Sequence, residues 1–175
     1  NTRKIFHNIK LLKAKEVLIV DGGSKDNTKT ILKKLKTITT WPSRGNQLAT
    51  GARKSFQPWL LFLHADTILD IANVNELKNF IKKNENKVAY FHLKFDKKSF
   101  FSKIIAQWAN LRTKFLYIPF GDQCLLIQRS YYNHIGGFTN ISKMEDLELI
   151  LKIPKDKKYF FNSYIETSFK KYLKN

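Results

Sequence analysis

Cysteine, long apolar runs and acidic residues are all scarce in this sequence, and each shortage narrows the class of protein. Cys124 is the only cysteine among 175 residues, so an internal disulfide framework is excluded and a reducing compartment, the cytoplasm, is expected. No apolar run approaches the roughly 18 residues of a membrane-spanning helix, and no signal peptide is visible. The chain opens on Asn1 instead of methionine, so we expect a natural N-terminal segment to be missing, with any targeting information it carries.

The shortage of acids makes the chain strongly basic. Thirty-two lysine and arginine residues against 14 acidic ones give a net charge of +18. Lysine supplies most of it and is scattered in pairs, as on an ordinary solvated surface; the alternative is a surface that attracts anionic lipid or another polyanion. Half of the acids, by contrast, fall in four short segments, which is not how solvating charge is distributed: Asp21, Asp26, Asp66, Asp122, Glu145, Asp146 and Glu148.

Short apolar segments alternate with helical patterns, which predicts an α/β fold of one domain over residues 1–175. The apolar, β-branched strands are typical of a mainly parallel central sheet flanked by helices, in which ligands bind beyond the carboxyl ends of the strands. Strands are predicted at 16–20, 37–40, 59–63, 87–95 and 124–128, an extended segment at 158–168, and helices at 2–14, 28–36, 44–55, 74–83, 100–112, 129–135 and 144–152.

Two of the acids directly follow predicted strands. Asp21 precedes Gly22 and Gly23, which allow the close approach of a ligand. A strand-to-helix turn accounts for the polar residues behind them but not for the charge of Asp21. Asp66 lies two residues after His64, and the pair could hold a hard divalent cation such as Mg²⁺ or Mn²⁺ together with phosphate oxygens. The alternatives are a turn cap for Asp66 and a satisfied core histidine for His64.

Polar residues in three other segments could also meet a ligand. Glu145 and Asp146 lie in the first turn of a predicted helix, where they are either ordinary helix-terminal charge or hold a general base. Asp122 and Gln123 open a predicted strand, an unusual position for an acid if only packing mattered. Arg44 begins a helix and could contact a phosphate or sugar hydroxyls.

In their order and spacing, these segments carry a family resemblance. The matching pieces are "VLIVDGGSKDNT", "RGNQLATGA", "LFLHADT", "PFGDQCLLIQRSYYNHIGGF", "MEDLEL" and "ETSFKKY", which together cover roughly residues 16 to 170. The chain resembles the family 2 glycosyltransferases with the GT-A fold. Within that family it is most similar to the small branch sometimes linked to arsenosugar biosynthesis.

The resemblance implies an enzyme that transfers a sugar from a nucleotide-diphosphate donor, such as a UDP- or GDP-sugar, to an unknown acceptor hydroxyl with inversion. By motif, it assigns Asp146 of the Glu145–Asp146 pair as the catalytic base. It assigns Asp66 as a ligand of Mg²⁺ or Mn²⁺, with His64 in place of the first acid of the metal motif. It places the remaining predicted site residues around the donor: Asp21, Gly22, Gly23, Arg44, Arg112, Asp122 and Gln123.

The sequence also departs from the family pattern. The family's first strand does not precede residue 16, and the Gln-x-x-Arg-Trp motif of processive members is absent, which favours single additions. The missing strand supports an alternative function, an inactive GT-A-like domain that retains only nucleotide or sugar binding. A second alternative is a basic protein held peripherally on an anionic membrane or on nucleic acid, supported by the charge and by the amphipathic segment 100–112. We do not expect nucleic-acid binding, because basic residues are not interleaved with exposed aromatics on one face.

Overall fold

The computed structural model describes residues 2–83, 87–141 and 143–172. Helices and strands alternate along the chain, which confirms the predicted α/β class. The helices are α1 Thr2–Leu12, α2 Thr28–Ile31, α3 Arg44–Lys54, α4 Ile71–Lys83, α5 Phe100–Leu116, α6 Arg129–His134 and α7 Glu145–Leu151. The strands are β1 Ile19–Asp21, β2 Thr37–Thr39, β3 Trp59–Phe62, β4 Val88–Phe95, β5 Leu125–Gln128 and β6 Lys158–Thr167. Three short 3₁₀ turns cover Gly121–Gln123, Lys155–Lys157 and Phe169–Tyr172.

The strands form two sheets. β1 and β2 pair in parallel, and the other four strands lie in the order β3–β5–β4–β6. β5 runs antiparallel to both of its neighbours, whereas β4 and β6 are parallel. β3, β4 and β6 therefore point the same way, and β5 begins at the edge where β3 ends, with Leu125 opposite Phe62. This reversal brings the residues just before β5 beside the residues just after β3.

The strand pairing differs from the expected mainly parallel central sheet. Three strands of the larger sheet share a direction, but the central β5 is reversed, and β1 and β2 form a separate pair. A short strand buried on both faces is a continuous apolar run in either direction, so its sequence gives no signal of its orientation.

The ends of several helices differ from their predictions, most of all the C-terminal ends of α2 and α5. α2 ends at Ile31, short of the predicted Lys36. Leu32 is buried, whereas Ile31 is 48% exposed. α5 continues to Leu116, beyond the predicted end at residue 112. Across the described ranges, none of the helices combines the length and apolar character that a bilayer crossing demands.

The four-stranded sheet separates two apolar clusters, because successive strand residues point to opposite faces. Tyr90 of β4 points to the face where Leu149 and Ile150 of α7 pack. Phe91, the next residue, points to the opposite face and joins Phe80 of α4. The predicted catalytic residues stand over the first of these two clusters.

Candidate active site

Four segments that are distant in the sequence meet at the edge where β3 ends and β5 begins. His64 follows β3, Asp122 lies in the 3₁₀ turn before β5, Arg44 begins α3, and Glu145 and Asp146 begin α7. Ser43 fixes the start of α3, because its hydroxyl accepts a hydrogen bond from the Asn46 backbone.

Arg44 contacts two other side chains of this cluster. Its Nε lies 2.9 Å from Oε1 of Glu145, and its Nη2 lies 2.9 Å from Nε2 of His64. The Glu145 side chain is only 2% exposed, whereas that of Arg44 is half exposed. A buried carboxylate is costly unless a cation compensates it, so Arg44 is the group that allows Glu145 to lie inside. Half of the Arg44 side chain remains exposed to solvent.

The hydrogen bonds of His64 fix its tautomer. Arginine is only a donor, so Nε2 of His64 accepts from Arg44. The ring proton then lies on Nδ1, which is 3.0 Å from Oδ1 of the buried Asp122. His64 is therefore neutral in this arrangement, and both ring nitrogens are engaged by protein groups.

Asp146 is held by the loop that precedes β5. Its Oδ2 accepts a 2.8 Å hydrogen bond from the backbone N–H of Gly121, and its Oδ1 accepts from the N–H of Leu147 at 2.9 Å. A Cβ at position 121 would lie 3.0 Å from Nε2 of His64 and 3.3 Å from Nη2 of Arg44, so a larger residue there would have to displace these two side chains. The carboxylate is thus oriented by backbone groups beside the Arg44–His64 contact.

Left-handed backbone conformations border the same segments. Cys124 has φ of 59° and Met144 has φ of 63°, at the end of the 3₁₀ turn and immediately before α7. Tyr117, with φ of 58°, ends α5 just before the loop that carries Gly121. Non-glycine residues avoid this region unless the surroundings impose it, and such residues cluster at functional sites.

A pocket opens beside Asp146 and His64, and its floor contains a tyrosine that sequence reasoning missed. The walls are mainly apolar, from side chains that include Leu48, Phe62 and Phe138. Tyr90 lines the pocket too; its hydroxyl is buried and makes no hydrogen bond to any residue that the structure describes. Burial raises the pKa of Tyr90 well above its usual value, so the hydroxyl stays protonated and can donate. The alternating pattern of "VAYFHLKF" indicates that Tyr90 and Val88 lie on the same face of the strand. It does not indicate that this face carries the site.

Asp21 has a local structural role. Its carboxylate accepts hydrogen bonds from the backbone of Gly23 at 3.2 Å and of Ser24 at 3.0 Å, and from the Ser24 hydroxyl. Gly23 has φ of +92°, and Gly22 packs on the side chain of Gln47. Asp21 therefore shapes the loop after β1, an explanation that the sequence did not supply. Its contact with a nucleotide stays a prediction.

The two predicted metal ligands do not converge. The ring nitrogens of His64 are engaged by Arg44 and Asp122, whereas the carboxylate of Asp66 lies 3.4 Å from the hydroxyl of Thr167. Within residues 2–83, 87–141 and 143–172, no three histidine, cysteine, aspartate or glutamate side chains are grouped as a metal site requires. The residues in this arrangement do not fit a divalent ion.

Gln123 and Arg112 lie under and beside the site instead of in its wall. Gln123 is fully buried: it accepts from the Thr113 hydroxyl at 2.8 Å and donates to the Phe91 carbonyl at 3.0 Å. Arg112 lies 3.5 Å from the ring centre of Phe120, and its Nε donates to the carbonyl of Ile118 at 2.9 Å. Both side chains hold the loop that carries Gly121 in place.

Comparison with known proteins agrees with this architecture. The family described as Glycosyl transferase family 2 matches residues 2–147. No curated protein sequence matches the chain. Among solved structures, S. aureus TarS 1-349 in complex with UDP has a TM-score of 0.68 at 16% identity, over 96% of this chain and 57% of that one. GalNAc-T7 with UDP, GalNAc and Mn²⁺ has a TM-score of 0.71 at 15% identity, and the match covers 95% of this chain and 40% of that one.

A third neighbour is glucosyl-3-phosphoglycerate synthase from Mycobacterium tuberculosis. It has a TM-score of 0.62 at 12% identity and covers 89% of this chain and 60% of its own. At such identities the likeness establishes the fold, which is GT-A, and nothing more specific. The chain spans about 60% or less of the length of each of these neighbours.

Proposed function

Because this chain belongs to glycosyl transferase family 2, we propose that it transfers a sugar from a nucleotide-diphosphate donor to an acceptor hydroxyl, with inversion at the anomeric carbon. A UDP-sugar is the first donor to test, since TarS was crystallised with UDP and with UDP-GlcNAc, and GalNAc-T7 with UDP. GDP-sugars are the second. The small branch linked to arsenosugar biosynthesis stays a prediction from the sequence.

The observation that carries this proposal is the position of Asp146. Asp146 lines a mainly apolar pocket, and its carboxylate is oriented by the N–H of Gly121 at 2.8 Å. A carboxylate fixed in this way can accept a proton from an acceptor hydroxyl that enters the pocket. In the transfer step, the acceptor oxygen forms a bond to the anomeric carbon and its proton passes to Asp146. The bond from that carbon to the phosphate oxygen breaks, and the nucleoside diphosphate leaves with the electron pair.

Arg44 supports the same proposal through its charge. A diphosphate leaving group gains negative charge as its bond to the sugar breaks, and a nearby guanidinium stabilises that charge. Arg44 is half exposed at the site and is held in place by Glu145 at 2.9 Å. Glu145 therefore acts as a positioning residue for Arg44. Asp122 does the same for His64, whose ring holds the other side of the guanidinium at 2.9 Å.

A divalent ion was expected from the family resemblance, and Mg²⁺ or Mn²⁺ remains a prediction. In the present arrangement Nε2 of His64 accepts from Arg44, so His64 could bind a metal only after that contact opened. For this reason the steps above involve only the chain's own residues. A metal requirement is tested by assays with Mn²⁺, with Mg²⁺ and with a chelator.

The proposal is tested by incubating the chain with a panel of UDP- and GDP-sugars and measuring release of the nucleoside diphosphate. Release from at least one donor supports a transferase. Calorimetric binding of a nucleotide sugar without release would instead favour the alternative, an inactive GT-A-like binding domain. If the chain neither binds a nucleotide sugar nor releases the nucleoside diphosphate, both the transferase and the inactive binding domain are contradicted.

A further inference from the structure

The solvent-facing side of α5 is a continuous apolar stripe. Between residues 101 and 115 its members recur at intervals of three or four, and an adjacent residue extends it at each end, so they lie on one side of the helix. Each is 45% to 75% exposed, which is unusual for large apolar side chains on one helix. The apolar stripe consists of Phe100, Phe101, Ile104, Trp108, Leu111, Phe115 and Leu116.

The buried side of α5 consists mainly of small and polar residues, and Ile105 is half-buried against a small apolar cluster that includes Leu93. Ser102, Ala109 and Thr113 are its buried members. Asn110 attaches the helix to β4, since its side chain accepts from the N–H of Leu93 at 2.8 Å and donates to the carbonyl of the same residue at 2.9 Å. An ordinary surface helix packs its large apolar residues inward. α5 instead turns most of its large apolar residues outward, so the apolar stripe does not pack against the core that the structure describes.

The charges around the apolar stripe have one sign. Lys97, Lys98, Lys103 and Lys114 are exposed on or just before α5. No acidic residue occurs between Lys97 and Gly121. Apolar residues that include Trp and Phe, bordered by lysines, are the composition of helices that lie in the interface of an anionic membrane.

We propose that α5 lies on an anionic lipid bilayer, with its apolar stripe in the boundary between headgroups and acyl chains. Charge complementarity favours lipid over a second copy of this chain, because two copies would bring like-charged lysines together and each carries a net charge of +18. The inference does not depend on the proposed transferase activity. The proposed contact lies close to the site in the chain, since α5 ends at Leu116, directly before the loop that carries Gly121.

The test is sedimentation of the chain with vesicles of phosphatidylcholine alone and of phosphatidylcholine mixed with phosphatidylglycerol. We expect binding to the anionic vesicles and little to the neutral ones. Replacing Phe101→Ser together with Trp108→Ser should weaken binding by at least about tenfold, because each side chain loses its apolar burial in lipid. The matched control is Trp41→Ser with Phe56→Ser, two aromatic residues that are each 81% exposed elsewhere, and it should bind like the unchanged chain.

A second pair of variants separates local from overall charge. Lys103→Gln with Lys114→Gln should weaken binding more than Lys33→Gln with Lys34→Gln, although both variants lose the same net charge. Circular dichroism checks that each variant is folded, which we expect because all these side chains are exposed.

Three results would overturn the proposal. The first is failure to bind anionic vesicles. The second is equal binding by the Phe101→Ser, Trp108→Ser variant. Vesicle binding would then come only from the attraction of a basic protein to anionic lipid, without the apolar stripe. The third is a chain that self-associates and becomes monomeric in that variant while ignoring vesicles, which would make a second copy the occupant of the apolar stripe.

Discussion

α7 and α5 depart from the usual burial of side chains in opposite directions. α7 begins with a carboxylate, Glu145, that is 2% exposed, whereas α5 leaves an entire stripe of aromatic and aliphatic side chains in solvent. The charge on α7 is compensated within the chain by Arg44 at 2.9 Å. The apolar stripe of α5 has no cover among the residues that the structure describes.

The difference shows where each region obtains its stabilisation. A buried charge destabilises a protein unless a partner is already in place, so the α7 region must be a preorganised site. An exposed apolar helix face costs the folded state little, and its burial is completed by association. We therefore expect substitutions at the site to change both stability and activity, and substitutions on α5 to change association.

Arg44→Ala should have the largest effect on stability among the substitutions of polar side chains that test this contrast. It leaves Glu145 buried without its cation and should lower the free energy of unfolding by about 2 kcal/mol, less than for a fully buried pair because Arg44 is half exposed. Urea denaturation measures the change.

Two variants control this prediction. Arg44→Ala combined with Glu145→Gln should recover part of the loss, because the uncompensated charge is gone. Lys152→Ala, which breaks the exposed pair with Glu148 on α7, should cost no more than about 0.5 kcal/mol. A loss from Arg44→Ala no larger than that from Lys152→Ala would show that Glu145 does not depend on Arg44.

Tyr90→Phe should have a smaller effect on stability. It distinguishes a role of the Tyr90 hydroxyl in binding a ligand from a role in packing the core. The hydroxyl has no hydrogen-bond partner among the described residues, so its removal should leave stability unchanged or raise it by up to about 1 kcal/mol. If the hydroxyl donates to a bound donor or acceptor, kcat/KM should fall about twofold to tenfold.

Tyr132→Phe is the matched control, because the Tyr132 hydroxyl accepts a 2.9 Å hydrogen bond from the N–H of Phe138. This variant should lower stability, while its pocket keeps Tyr90. A Tyr90→Phe variant that is destabilised as much as Tyr132→Phe would contradict the view that the Tyr90 hydroxyl is reserved for a ligand.

Trp108→Ser should have the smallest effect on stability, within about 0.5 kcal/mol, because Trp108 is 69% exposed. Leu149→Ala in α7, where the side chain is 1% exposed, should cost about 2–5 kcal/mol in the same denaturation series. A large loss from Trp108→Ser would show that the apolar stripe is packed against the protein in solution.

The sequence predicted the convergence of the site better than its detail. The family resemblance placed His64, Asp122 and Asp146 in one site, and the structure brings these three side chains together. Asp21 and Asp66, the two acids that follow predicted strands, bond elsewhere. The reversed β5 was not predictable from its apolar sequence, yet this reversal is what places Asp122 beside His64. The predicted pairing of His64 with Asp66 rested on their spacing of two residues, which does not determine where each side chain points.

Hydrogen bonds to backbone groups and the packing of α5 account for the remaining differences between the predicted and the observed site. Asp21 bonds to the N–H groups of its own loop, a local contact, whereas Gln123 bonds to the carbonyl of Phe91, which is distant in the sequence. The helix at 100–112 was predicted as amphipathic. Its sequence contains both a large apolar face and a small-residue face, and only packing decided that Ala109 and Thr113 would face inward.

The most direct test of the central claim is nucleotide-sugar turnover by Asp146→Asn. The substituted amide oxygen can still accept from the N–H of Gly121, so the fold and donor binding should persist while the base is lost. We predict a fall in kcat of at least about 100-fold, the usual contribution of a general base, with no comparable fall in Asp156→Asn, an exposed carboxylate elsewhere. Turnover by Asp146→Asn equal to that of the unchanged chain would contradict the assignment of Asp146 as the base.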